Sequence, residues 1–437
     1  MKWYTEYQNR AHREQCWRTG NLSSPAVCLR GHRGTVFGAA FLEAPFRPGT
    51  IVTGAHLDTT CRGEIRMWLP SRGTEVQGME SSSTTEPVNV DAKEEVTKAG
   101  ILSLYQLPGT PQIACTTFES GVHILRAVES TAVDSLSEGH QEDAGSGTTS
   151  RQKRKVDTMD CLERNFSMNL PDDPAISSYK FYPVLECRGQ TAPCAKTYID
   201  KRATILAIPS YDGVVRMYKL PEWITNSSLQ ENIDDPCYDP DGGACNQEPA
   251  LDPRACLIDD MEINVSEGGG SRLAKQLPVC SLTMSDSSDK MITGGNDMLV
   301  KVWDLQRECI VDRLKGHTGW LWNVKSLDPE LHVAMSSSTD GFCRKWDIRA
   351  GQCVGEINVS AHGPGKVYPV TGVALRGNGW HMAVGSLDKS VYVLDCRMMK
   401  RLYCIGKHED RVCRAMMHED TLMTTGWDHT VRLWEFN

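Results

Sequence analysis

The chain has 437 residues, with 47 Lys and Arg against 56 Asp and Glu, and a formal net charge of −9. That length allows one large domain or up to three ordinary ones, and 40% hydrophobic with 24% charged residues is a globular composition. The 37 Gly, 21 Pro and 11 Trp argue against a long helical bundle, and the mild acidity disfavours nucleic acid, which is usually met by a basic face.

The first element is a flank over residues 1–24, where Trp3, Tyr4, Tyr7, Arg10, Arg13, Glu14, Trp17 and Arg18 are spaced for a short helix ending at Gly20. It lacks the apolar core of an export signal, and no run of about 18 apolar residues follows it. We therefore expect no membrane partner, a cytoplasmic and/or nuclear location, and reduced thiols for the 17 Cys.

A repeating unit starts at LRGH, Leu29–His32, and recurs at roughly 40 to 45 residues. Its clearest copies have a Gly-His or Lys-His turn, an apolar stretch, a small-residue stretch ending in Asp, and a stretch ending in Trp. The acid precedes the ring by six residues in Asp297 to Trp303, Asp340 to Trp346 and Asp428 to Trp434. The same step, with degenerate ends, joins Glu119 to Leu125, Asp212 to Tyr218 and Asp388 to Leu394; in the first unit Asp58 to Trp68 is four residues longer. The acid suits a tight turn between short strands, and the alternation after it lands the ring on a buried sheet face. His317, Asp340 and Trp346, and likewise His408, Thr424, Asp428 and Trp434, then form buried hydrogen-bond networks with a structural role.

Two stretches do not fit the repeat. Residues of about 129–160 are rich in Ser, Thr, Gly and charge and are expected to be disordered; they contain RQKRK, Arg151–Lys155, a candidate nuclear signal. The second, about 221–276, is acidic, and its Cys237, Cys245 and Cys256 lack the close pairing of zinc ligands. After the last ring only Glu435, Phe436 and Asn437 follow, so the seventh unit lacks an outer strand of its own; Pro25–Arg30 stands where the outer strands of other units stand, and is expected to close the ring.

These GH and WD signatures resemble the WD-repeat family of β-propellers. The expected fold is all-β: a closed seven-bladed propeller over residues 25–437 with a short N-terminal helix and two disordered insertions. WYTEYQNRAHREQCWRTG followed by LRGH is similar to the segment joining the F-box to the propeller in F-box/WD-repeat proteins, substrate receptors of cullin-RING ubiquitin ligases. The F-box itself would precede Met1, so the resemblance does not carry adaptor binding over. KWDIR, Lys345–Arg349, is similar to the WDxR signature of receptors that dock on another cullin adaptor, which makes Arg349 an adaptor-docking candidate.

No phosphate loop, zinc-protease helix, nucleophile elbow or dinucleotide turn is present in a suitable context, so no catalytic residue, cofactor or metal is expected. A protein-interaction platform is the leading class, most specifically a monomeric propeller that receives substrates for a ubiquitin ligase. The alternative is a general scaffold for a nuclear or ribonucleoprotein complex. Candidate contact residues are large or charged side chains in the turns at the ring mouth: Trp320 and Trp322, which flank an inward-pointing Leu321, with Phe342, Trp427, His429, Arg411 and Arg33.

Overall fold

The computed structural model describes residues 2–20, 27–57, 63–68, 95–97, 100–118, 121–130, 178–188, 198–200, 204–220, 257–264, 277–359, 368–377 and 379–436. Among the described residues, one helix, α1 (Lys2–Thr19), precedes 28 strands, β1 to β28, which form seven four-stranded antiparallel sheets.

Blade 1 is β2 (Thr35–Phe41), β3 (Ile51–His56), β4 (Gly63–Trp68) and β5 (Glu95–Thr97). Blade 2 is β6 (Ile101–Gln106), β7 (Gln112–Thr117), β8 (Gly121–Ser130) and β9 (Ser178–Arg188). Blade 3 is β10 (Tyr198–Ile199), β11 (Ile205–Pro209), β12 (Val214–Lys219) and β13 (Leu257–Asn264). Blade 4 is β14 (Val279–Met284), β15 (Lys290–Gly295), β16 (Val300–Asp304) and β17 (Cys309–Leu314). Blade 5 is β18 (Leu321–Ser326), β19 (Val333–Ser338), β20 (Phe342–Asp347) and β21 (Gln352–Asn358). Blade 6 is β22 (Val370–Leu375), β23 (His381–Ser386), β24 (Ser390–Asp395) and β25 (Lys400–Lys407). Blade 7 is β26 (Val412–His418), β27 (Thr421–Gly426) and β28 (Val431–Glu435), and its outer strand is β1 (Val27–Leu29).

The closing strand pairs Val27 with Leu433, Cys28 with Arg432 and Leu29 with Val431. A chain segment from before the first blade thus supplies the last edge, and the ring has no open seam there. The core follows from the same geometry. Seven apolar clusters form, one between each pair of neighbouring blades; Leu29, Val36, Trp68, Met423 and Leu433, for example, fill the joint between blades 7 and 1. Strands β4, β23 and β24 are buried at every position. In β24 this shows as the apolar run of Val391, Tyr392, Val393 and Leu394, whereas β4 buries Glu64 and Arg66 as a pair; β17 alternates exposed and half-buried residues because only one face is covered.

The boundaries of the two expected insertions need correction. β8 continues through Ser130, and β13 lies inside the stretch assigned to the second insertion. The sequence of β13, LIDDMEIN, lacks the apolar density of an inner strand, which is why it reads as part of an insertion. Arg151–Lys155, Cys237, Cys245 and Cys256 lie outside the described residues.

Helix α1 docks on the joint between blades 6 and 7. Trp17 is fully buried, stacks on Phe436 with ring centroids 3.6 Å apart, and donates from Nε1 to Asp420 at 3.0 Å. Arg376 spans the joint, donating to Asp420 and, at 2.8 Å, to Glu14. Gly20 ends the helix in the left-handed region (φ 76°), its N–H bonded to the Cys16 carbonyl at 2.8 Å; a Cβ there would press on the Tyr403 ring at 2.9 Å. No described helix is long and apolar enough to cross a membrane.

Candidate protein-docking face

Among the described residues, the turns that enter the inner strands and those joining the second strand to the third lie at one end of the ring, opposite the end that carries α1. The turn acid organises this face. Asp212, Asp297, Asp340, Asp388 and Asp428 each accept the backbone N–H two residues on, at 2.9 to 3.2 Å, a side-chain mimic of a backbone turn. The residue after the acid is left-handed in all five: Gly213 and Gly341, but also Met298, Lys389 and His429 (φ 64°, 73° and 61°). A side chain there costs about 1–2 kcal/mol relative to glycine, and two of the three put an apolar or aromatic group on the face.

In blades 5 and 7 an imidazole links the incoming turn to the acid. His317 bonds Asp340 at 2.8 Å and Ser336 at 2.7 Å, and Trp346 Nε1 donates to the same Ser336 at 2.7 Å. His408 bonds Asp428 at 2.9 Å and Thr424 at 2.8 Å, while Trp434 Nε1 donates to Thr424 at 3.0 Å. Burial alone would raise both carboxyls; the imidazoles and backbone N–H groups override it and hold Asp340 and Asp428 well below the usual range. The polar atoms of these networks are consumed internally, which suits a scaffold.

Blade 1 departs from the expected spacing. Asp58 lies outside the described residues, and the acid that meets His32 is Glu64, four residues before Trp68, with Oε2 3.0 Å from Nδ1. His32 Nε2 and Trp68 Nε1 both bond Thr53 at 2.6 Å. Burial opposes ionisation of Glu64, but His32 and Arg66 outweigh it and bring its pKa to about 2. The turns share another regularity, one that the sequence reading does not include. Four residues after the acid stands Arg216, Lys301, Arg344 or Arg432, each paired with that acid at 2.6 to 3.7 Å, and in blade 6 Tyr392 donates to Asp388 at 2.5 Å. Its signal, D-x-x-x-[R/K], is plain in the sequence.

The candidate contact residues fall into two groups on this face. Arg411 lies 4.9 Å over the Trp427 ring, and Trp427 meets Phe37 edge-on at 6.5 Å; Phe37 in turn meets Phe118 at 5.4 Å. His429 and Arg33 flank that joint, His429 close enough to influence His32. The second group is on blade 5: Trp320 (50% exposed), Trp322 and a half-buried Phe342, whose ring lies 5.1 Å from the Arg344 guanidinium. Leu321 between the two tryptophans is fully buried. Phe37 and Phe118 are additions to the sequence-derived set. Phe37 is legible in retrospect: it stands five residues after His32, as Trp322 does after His317, and both occupy a one-residue bulge of the inner strand, a device that re-aims a side chain. Among the described residues, Tyr211, Leu277, Met298, Trp320, Trp322 and Trp427 supply six of the ten exposed large hydrophobic side chains, all on this face. Arg349 lies on the opposite end, in the turn after β20; its side chain is 69% exposed and 3.9 Å from Asp347.

Comparison with known proteins agrees with this geometry. Residues 272–304 and 308–347 match the WD domain, G-beta repeat family. The chain carries WD40 repeats in a seven-bladed propeller. Protein SPA1-RELATED 4 of Arabidopsis thaliana is 31% identical over 143 residues, 32% of this chain and 17% of that protein. The guanine nucleotide-binding protein subunit beta of Nicotiana tabacum is 28% identical over 177 residues, 39% of this chain and 47% of that protein. The chain therefore spans less than half the length of these relatives. What the WD40 repeats supply here is a rigid ring with one face crowded by turns, and such rings bind other proteins.

Proposed function

We propose that this WD-repeat propeller is a non-enzymatic substrate-recognition subunit of a cullin-RING ubiquitin ligase, working in the cytoplasm and/or nucleus. The observation that carries the reading is the division between the two ends of the ring. One end gathers exposed Trp and Arg side chains, the residue types that dominate binding energy at interfaces. The other holds α1 rigidly through Trp17, Arg376 and Asp420, as a joint to a ligase adaptor requires, and exposes Arg349 of KWDIR. A subunit built this way holds a substrate at one end and its assembly at the other.

The test is affinity purification of tagged chain with quantitative mass spectrometry. Trp320→Ala combined with Arg411→Ala should leave the melting transition unchanged and reduce substrate recovery by about tenfold or more, with cullin and adaptor retained. Arg349→Ala should do the reverse. Recovery of partners with no cullin or adaptor among them would exclude the ligase reading in favour of a general scaffold.

A further inference from the structure

The axial channel has a different chemistry at its helix end. There the inner strands of blades 1, 2, 5, 6 and 7 enclose an open cavity of about 480 Å³, lined by Lys325 from β18, Arg414 from β26 and Tyr105 from β6. None of the residues placed on the docking face takes part in it. We infer that this end of the channel binds a phosphate group, free or carried by a small organic molecule, between Lys325 and Arg414.

Four observations support the site. First, the two cations belong to different blades and converge on one space. Arg414 is buried, and its guanidinium is aimed by Tyr105, to whose hydroxyl Nη2 donates at 3.5 Å and whose ring centroid lies 5.8 Å from Cζ. Second, Lys325 opens onto the channel, and among the described residues it joins no ion pair. Enclosure by the channel wall, and then the charge of Arg414, push its pKa down, and an anion between the two cations would offset both effects. Third, the cavity's acid does not neutralise the pair: Glu43 is 69% exposed at the rim, 3.9 Å from His418. Fourth, the volume is larger than one phosphate needs and falls in the range of small-molecule sites, roughly 300–1,000 Å³, with Leu104 and Val373 offering an apolar wall to a carrier. The ligand chemistry follows from the donors. An arginine fork and a lysine point charge match the oxygens of a phosphate dianion, and the Tyr105 hydroxyl can donate to a third oxygen.

The proposal is tested on the full chain by isothermal titration with inorganic phosphate and with glycerol 3-phosphate, against potassium chloride at matched ionic strength. Saturable binding is expected. Lys325→Met should weaken it by about tenfold or more, and Lys325→Arg by less than about threefold. Tighter binding of glycerol 3-phosphate assigns an organic carrier; equal affinity assigns free phosphate. Binding heat that chloride reproduces, or equal affinity in Lys325→Met, overturns the site. Amine labelling of the unaltered chain tests the same site without any variant: phosphate should protect Lys325 severalfold relative to exposed surface lysines, and equal labelling with and without it also overturns the proposal.

Discussion

Blades 7 and 3 place an acid in the same turn and use it differently. Asp428 accepts bonds from His408, the Glu409 N–H, and the backbone and hydroxyl of Thr430, so it ties the loop arriving from blade 6 to the turn of blade 7. The bonds of Asp212 to the Val214 N–H and to Arg216 at 2.7 Å are local to one hairpin. The comparison separates two jobs that one sequence step conceals. Six residues from acid to ring measure the hairpin, whereas the imidazole determines whether neighbouring segments of the ring are held to one another.

Removing each acid is the sharpest way to break the comparison. Asp428→Ala leaves a buried His408 and several N–H groups without their acceptor, and should cost about 3–5 kcal/mol. Asp212→Ala should cost about 1–2 kcal/mol, the order of a turn bond and a local pair. Urea unfolding of the two variants decides it; equal losses would mean that the imidazole adds nothing to cohesion.

Acid should act on the same groups next in size. Asp340, Asp428 and Glu64 are held below their usual pKa in the folded state, so their contribution is complete above the unfolded value of about 4, declines as pH falls below it and is gone once pH has passed the lower folded values. For Glu64, a drop from 4.5 to about 2 corresponds to roughly 3 kcal/mol. His32 and His381 are lowered as well, chiefly by burial. The unfolded chain takes up those protons first, so a milder loss begins below pH of about 6.5. The melting temperature should therefore decline gently from pH of about 6.5 and steeply below about 4.5; a flat profile down to about pH 4 would contradict the neutral buried state of both histidines.

How much of this is legible in the sequence depends on whether a feature is local. The six-residue step, the closing strand at Val27–Leu29 and the imidazole pairs are readable because each is set by hairpin geometry or by chain position. The outer strand β13 reads as insertion, since LIDDMEIN carries little apolar signal. The clustering of Phe37, Phe118, Trp427 and Arg411 joins three blades, and the meeting of Lys325 with Arg414 joins two that are not neighbours in the ring. Spacing within a unit holds no information on such meetings; closure of the ring creates them.

Blade 1 offers the finest test, because it solves the blade 7 problem with a different residue. Glu64 sits in β4 itself, two positions nearer its ring than the turn acids are to theirs, and its extra methylene lets the carboxylate reach back to His32 while Arg66 grips the other oxygen at 2.6 to 2.8 Å. If reach is the reason glutamate stands here, Glu64→Asp should draw the carboxylate away from His32 and leave that imidazole short of a partner. The expected loss is about 1–2 kcal/mol, smaller than for Asp428→Ala because the charge and Arg66 remain. His32 should then titrate differently from the unaltered protein by NMR. A variant of undiminished stability would mean that the strand shifts to follow the shorter side chain, and the acid's position in blade 1 would be a matter of backbone accommodation rather than of side-chain length.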